Sequence, residues 1–316
     1  MSLTVYNWFE QILGFNEKDF HYTINEIPKD IIPKMGEFEI LSLGELKEEF
    51  KKNKKNRNTN LLLHIKYRDG YTNINQFDTS ALQFNCSHSN ALFQVASNFN
   101  CLEIPRADYN PFNGYYITNK MSDNTQGPSA AGGCAFGSIL RLIQHKEKPI
   151  NLLEDTPLIV NNGKVKYSEN KHFKEFDSDL IKIGLHKNVR ACFLRSNEFK
   201  YNKDGPVINQ IYTSTCINSN NNVNDLSVKL LQAAYEATYL AAIITQAPEI
   251  VLTLIGGGVF NNSHQSIIDI LVMIHNKYSP YLSKNCNVIL PLFEPKPVHI
   301  LQYCYNMPNI KIEKII

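Results

Sequence analysis

The sequence predicts an α/β fold built on a largely parallel sheet covered on both faces, and three observations point there. In the second half of the chain, apolar β-branched runs alternate with helical patterns, the order that βαβ units require. The stretch "DLSVKLLQAAYEATYLAAIITQA" (225–247) presents an Ala-rich helical face suited to close packing on a sheet. Finally, "IVLTLIGGGVFNNSHQSIIDIL" (250–271) sets three glycines between a strand-like run and Ile267, Ile268, Leu271 and Ile274 at helical spacing. Ligands of such sheets bind beyond the carboxyl ends of the strands, where these glycines fall. Glycine lets backbone N–H groups approach a phosphate closely; a tight turn with close helix–strand packing is the alternative.

Taken in order, residues 1–58 read as a partly helical N-terminal extension, with "SLGELKEEFKK" (42–52) a short helix. Residues 59–316 read as one domain. "NLLLHIKY" (60–67) and "NALFQVASNF" (90–99) are strand-like, and "SAAGGCAFGSILRLIQH" (129–145) becomes helical in its second half. "PLIVNNGKVKY" (157–167) alternates around Asn-Gly, a hairpin signal. "NVRACFLR" (188–195), "VINQIYTSTCI" (207–217), 250–255 and "NVILPLF" (287–293) are further strands, with helices over 225–247, over 264–278 and from Pro297. "KKNKKNRNTN" (51–60) and "NSNNNVND" (218–225) lack apolar periodicity and read as exposed loops.

A net charge of +2 over 316 residues makes no electrostatic case for nucleic acid or a membrane as partner. The seven cysteines form no C-x-x-C pair, which suits a reducing compartment. The N-terminus lacks the basic and apolar regions of a signal peptide, so a cytoplasmic location is expected. The nine histidines show no metal-ligand spacing, and neither a metal nor another cofactor is expected. "GGGVFNNS" is neither G-x-x-x-x-G-K-[ST] nor G-x-G-x-x-G, which removes support for nucleotide hydrolysis and NAD chemistry. There is no G-x-S-x-G elbow and no H-E-x-x-H.

The segment 92–133 is dense in polar groups after its strand. Asn98, Asn100 and Glu103 follow directly, Asp108 and Asp123 lie further on, and "TQGPSAAGG" opens the next helix with Pro128 near its start. A loop of roughly 28 residues is usually functional or disordered. The aromatics Tyr109, Phe112, Tyr115 and Tyr116 favour a working loop.

"FQVASNFNCLE", "DNTQGPSAAGG", "AAYEATYLAA" and "LTLIGGGVFNN", in this order and spacing, resemble a divergent branch of the macrodomain family similar to arginine-directed ADP-ribosyl hydrolases. The resemblance covers residues 60 to 293 and implies a three-layer α/β/α sandwich with a mixed central sheet, here carrying an N-terminal extension. It implies ADP-ribose at the carboxyl edge, with the amides of Gly256, Gly257, Gly258 and Val259 on the diphosphate. Phe260 and Asn261 would follow in the same loop, with Phe260 against the distal ribose. Asn98 or Asn100 would meet the ribose hydroxyls. Gln126 and Gly127 would stand in the first Gly-rich loop, and Asp69 is a candidate for adenine. That first loop departs from the family's "GGGVDGAI" type and lacks its catalytic aspartate, so the mechanism does not carry over.

Breaking a bond at the anomeric carbon needs a positioned water and support for an oxocarbenium ion, tasks for carboxylates. Glu103 would orient or activate the water, or simply pair with Arg106. Asp123 would hold a ribose hydroxyl or a substrate guanidinium, or cap the turn, and Asp108 is a third acid. Glu236 reads as making a structural hydrogen bond to a loop backbone, and His264 as a surface helix-start residue, the alternative being an approach to a phosphate. The expected activity is a mono-ADP-ribosyl hydrolase acting on modified protein, most readily at arginine, and some relatives suggest ubiquitin as that protein. The alternatives are a reader that binds ADP-ribose without cleaving it, and a hydrolase of another linkage.

Overall fold

The computed structural model describes residues 3–4, 7–57, 59–68, 79–102, 109–114, 117–118, 133–195, 199–218, 224–292 and 297–315. The N-terminal region holds helix α1 (Trp8–Leu13), strand β1 (Glu37–Ser42) and helix α2 (Leu43–Asn53). Ser42 and Glu45 close a reciprocal capping box that starts α2 where the strand ends. Then come β2 (Leu63–Arg68), α3 (Thr79–Phe84), β3 (Leu92–Ala96) and α4 (Ala135–Glu147). The central stretch is mainly strand: β4 (Val165–Lys166), β5 (Lys182–Arg190), β6 (Phe193–Arg195), β7 (Phe199–Tyr201), β8 (Val207–Thr213) and β9 (Cys216–Ile217). Helix α5 (Asp225–Thr245), β10 (Glu249–Val251), α6 (His264–Tyr278), β11 (Asn287–Leu292), α7 (Val298–Cys304) and β12 (Ile310–Ile315) complete the chain.

Among the described residues, eight strands form one mixed sheet in the order β1-β5-β8-β3-β10-β11-β2-β12. The pairs β1–β5 and β5–β8 are antiparallel, and every other pair is parallel. On one face, Leu92, Ile250, Val288 and Leu290 join Leu43 and Leu46 of α2, Leu240 of α5 and Ile267 and Leu271 of α6 in a buried cluster. On the other, Phe93, Ile208, Val251 and Ile289 meet Leu82 of α3 and Cys134, the N-cap of α4. The chain is a macrodomain-like α/β/α sandwich with a mixed central sheet.

Residues 1–58, read from sequence as an extension, are joined to this sandwich. β1 is the edge strand beside β5, with Glu37 opposite Lys187. Trp8 and Phe9 pack with Phe136 and Ile139 of α4 and with Phe193, the Trp8 and Phe193 ring centroids lying 4.6 Å apart.

Several local expectations change. The strand read over 250–255 ends at Val251, because 252–255 turn into the glycine loop. The strand read over 188–195 starts earlier, at Lys182, bulges between His186 and Val189, and stops at Arg190. Asn188 sits in the bulge with φ 56°. The Asn162–Gly163 turn forms with φ 48° and 73°, but its hairpin shrinks to one antiparallel bridge, Asn161 to Lys164. β4 instead pairs in parallel with β9. No helix among the described residues is long and apolar enough to cross a membrane.

Candidate active site

Strands β8, β3 and β10 are neighbours and parallel, so their carboxyl ends open on the same edge of the sheet. The backbone leading from β10 to the glycines is held from α5. The Tyr235 hydroxyl donates to the Thr253 carbonyl at 2.8 Å and accepts from the Ile255 N–H at 3.3 Å. Gln94 of β3 accepts from the Thr253 N–H at 3.2 Å and donates to Thr238 Oγ1 at 2.8 Å. Thus the tyrosine of "AAYEAT" shapes the loop. Its neighbour Glu236 ties helices together, accepting from Lys277 Nζ at 2.7 Å and the Tyr278 hydroxyl at 2.5 Å, with Lys47 at 3.4 Å. Burial raises the Glu236 pKa, but these bonds and the two lysine charges outweigh it and hold the carboxyl below its ordinary value.

Gly256 has φ +73°, and a Cβ on it would lie 2.4 Å from Thr215 Cγ2 and 2.7 Å from Asn262 Nδ2. Glycine is therefore required there twice over. The Gly257 N–H donates to the Leu254 carbonyl at 3.0 Å and the Asn261 N–H to that of Gly258 at 2.9 Å. Those of Gly256, Gly258 and Val259 have no intramolecular acceptor among the described residues. Val259 is 95% exposed at the loop tip. Free N–H groups on an open loop suit an anion.

The loop's return is anchored by Asn262 together with two asparagines of the 218–225 stretch, of which Asn218 is buried rather than exposed. Asn262 Nδ2 donates to the carbonyls of Cys216 (3.1 Å), Gly256 (3.2 Å) and Phe260 (3.3 Å), while its Oδ1 accepts from Asn218 Nδ2 at 2.6 Å. Asn218 continues to Ser227 Oγ (2.9 Å) and accepts from Asn224 (2.6 Å), the N-cap of α5. His264 does more than start α6: its Nε2 meets the Gly257 carbonyl at 2.9 Å and its Nδ1 meets His299 Nε2 at 2.9 Å. Beside them a cleft of about 200 Å³ is walled by Leu254, Pro291, Leu292, Pro297 and Ile300, with Gly257, Gly258 and His264 on its rim. Its apolar walls suit a flat aromatic group.

Beyond β3 the two candidate asparagines divide. Asn100 Oδ1 accepts from the Leu102 N–H at 3.1 Å and packs on Gly163, so it shapes the turn. Asn98 is fully buried, and among the described residues neither its Oδ1 nor its Nδ2 has a hydrogen-bond partner. An amide left in that state is costly unless something else meets it. Arg141 of α4, which the sequence reading did not single out, supports this turn. Fully buried, it donates from Nε to the Cys101 carbonyl at 3.1 Å and lies 4.2 Å above the Tyr212 ring. A lone arginine inside the apolar "SILRLIQ" was its one signal. Burial pushes the Cys101 thiol up to about 12, so it is no nucleophile.

Phe260 is half-buried, and its carbonyl accepts from the Asn218 N–H at 3.0 Å; Asn261 follows with φ 58°. Glu103, Asp108, Asp123, Gln126, Gly127 and Asp69 lie outside the described residues.

Fold and edge together define the class: a macrodomain-like sandwich whose carboxyl edge carries an open glycine loop. No protein-family model matches the sequence, and no curated protein does. Solved structures do. Poly(ADP-ribose) glycohydrolase from Thermomonospora curvata matches with a TM-score of 0.58 at 10% identity, over 95% of this chain and 97% of that one. The same enzyme bound to the inhibitor ADP-HPD gives 0.52 at 10% identity, over 93% of each chain. Poly(ADP-ribose) glycohydrolase from Deinococcus radiodurans in complex with ADP-ribose gives 0.50 at 9%, over 89% of this chain and 98% of that one. At such identities the likeness is one of fold.

These neighbours overturn the expected arginine-directed branch and with it arginine de-ADP-ribosylation, and they give no specific support to a mono-ADP-ribosylated protein such as ubiquitin as partner. The physical reason lies in what the motifs do. In the reading from sequence, the strand-end asparagine and the glycine loop are assigned only to the ADP-ribose portion, which every linkage shares, so they carry no information about the bond cleaved.

Proposed function

We propose that the chain is a glycohydrolase acting on ADP-ribose units, cleaving the O-glycosidic ribose–ribose bond of poly(ADP-ribose). The observation that carries this reading is the pairing of Asn98, buried with both amide atoms unpartnered among the described residues, with the N–H groups of Gly256, Gly258 and Val259, likewise without an acceptor there, at the same sheet edge. The fold it shares with poly(ADP-ribose) glycohydrolases supports the choice of bond. In this reading the loop amides hold the diphosphate, Phe260 and Asn261 complete the loop, Asn98 takes the distal ribose, and the apolar cleft receives adenine, with Asp69 as its polar partner. Asn100 keeps the turn in shape for Asn98.

Cleavage requires a proton for the departing ribose oxygen, a water at the anomeric carbon and negative charge beside the developing oxocarbenium ion. Glu103, Asp123 and Asp108 supply the carboxyl groups, with Glu103 as the acid–base and Asp123 on a ribose hydroxyl. Gln126 and Gly127 lead into α4 and border the same ligand.

The test is release of ADP-ribose from poly(ADP-ribose) by wild type, Glu103→Gln and Asp123→Asn, with ADP-ribose affinity measured for all three. A loss of roughly 10²–10⁴-fold in turnover with affinity retained is expected for the acid–base residue. Binding without turnover would make the chain a reader of ADP-ribose. Neither binding nor turnover would sink the proposal.

A further inference from the structure

We infer that the sugar end of the site extends onto β8, where the hydroxyls of Thr213 and Thr215 bind ribose hydroxyl groups. This rests on the ADP-ribose reading and adds to it residues that no motif singled out. Thr213 is 2% exposed and Thr215 is fully buried, and neither Oγ1 has a hydrogen-bond partner among the described residues. Both lie at the edge already described. Thr213 ends β8 opposite Ala96 of β3, and its carbonyl accepts from the Ser97 N–H at 2.9 Å, one residue before Asn98. Thr215 packs its methyl group against Gly256, the first residue of the glycine loop.

The side chains themselves indicate what they bind. In a helix a threonine hydroxyl can donate to the carbonyl four residues back, as Thr238 does to Ala234 and Thr245 to Ala241. Thr213 at the end of β8 and Thr215 between β8 and β9 are in extended chain with no such carbonyl in reach, and nothing else among the described residues meets their hydroxyls. Asn98 leaves open an acceptor as well as a donor, and each threonine hydroxyl can serve as either. A phosphate offers only acceptors, whereas a sugar hydroxyl both donates and accepts. The set therefore fits a diol better than an anion, and the anion is left to the loop amides. Two buried hydroxyls without partners lower the stability of the empty protein, and a ligand hydroxyl restores what they lack.

The inference is tested with Thr213→Val and Thr215→Val, which remove the hydroxyl and keep the volume. Affinities for ADP-ribose and for ADP, which lacks the distal ribose, are measured by calorimetry, and stability by urea denaturation. The expected result is an ADP-ribose affinity about tenfold weaker for each variant, equivalent to about 1.4 kcal/mol. ADP affinity stays unchanged, and the urea midpoint is unchanged or raised. Thr215→Ser, which keeps the hydroxyl, retains ADP-ribose affinity within about threefold. A lowered midpoint with unchanged ADP-ribose affinity would mean that the hydroxyls serve the fold, through a buried water, and overturns the inference. Equal losses for ADP and ADP-ribose would trace the effect to the glycine loop and overturn it too. A wild type that binds neither compound removes the ADP-ribose reading itself.

Discussion

Gly256 and Gly258 stand two positions apart in one loop and obey different constraints. At Gly256 the backbone is left-handed and the space above Cα is filled by Thr215 and Asn262. An L-residue pays roughly 1–2 kcal/mol for that conformation alone, and its methyl group would also displace the Asn262 amide. Gly256→Ala should therefore lose at least about 1 kcal/mol of stability in urea denaturation and most of its ADP-ribose affinity. Gly258 has nothing within 4 Å of a built Cβ and no positive φ. Gly258→Ala should stay within about 0.5 kcal/mol of wild type, so any loss of affinity would reflect the ligand's close approach. Equal destabilisation of both variants would contradict this account of the loop.

Helix α5 organises the edge at the scale of elements. Its N-cap, Asn224, leads through Asn218 to Asn262, and in its middle Tyr235 spans the Thr253 carbonyl and the Ile255 N–H. Tyr235→Phe leaves the Ile255 N–H and the Thr253 carbonyl only the bond they make to each other at 3.0 Å, and losing the hydroxyl should cost about 0.5–1.5 kcal/mol, read from urea unfolding. Faster amide exchange at Ile255 should accompany it. A double-mutant cycle between Asn218→Ala and Asn262→Ala should give a coupling of about 0.5–3 kcal/mol, since the two share a bond at 2.6 Å. Strict additivity would mean that the asparagines act separately. The 3.6-residue period and Ala-rich face of this helix were legible in sequence. That its tyrosine would meet the glycine loop was not, because the contact depends on how β10 and β3 stack beneath it.

For the whole molecule, stability should respond to acid through histidines buried in neutral form. Burial, with the Arg141 charge nearby, pushes His186 down to about 3, although its bond to the Met35 carbonyl opposes this. Burial also lowers His275, which bridges the Tyr239 hydroxyl and the Leu61 carbonyl. In the unfolded chain both protonate near pH 6.5. Below that pH the unfolded state binds protons that the folded state refuses, so stability falls as pH drops from about 6.5 towards about 3. Each such group steepens the fall by about 1.4 kcal/mol per pH unit. Urea midpoints at pH 7, 6 and 5 should decline, and His186→Gln should flatten the slope. An unchanged slope in that variant would show that other groups govern the acid response. Glu236, with its carboxyl held below its ordinary value, extends the loss through the carboxylate range, since its bonds to lysine vanish as it protonates.

The sequence by itself determined the alternation of strands and helices, the short helix after Ser42, the Asn-Gly turn and a glycine loop between strand and helix. Each is a short-range choice, decided by side-chain periodicity and backbone freedom within a few residues. Only the tertiary structure decided that β1 would pair with β5 about 150 residues on and that β12 would close the far edge beside β2. It also separated Asn98 from Asn100, buried Arg141 against the Cys101 carbonyl and left Thr213 and Thr215 without partners among the described residues. These outcomes depend on which distant backbone groups fill each side chain's hydrogen-bonding capacity, and that is settled by packing between elements far apart in the chain.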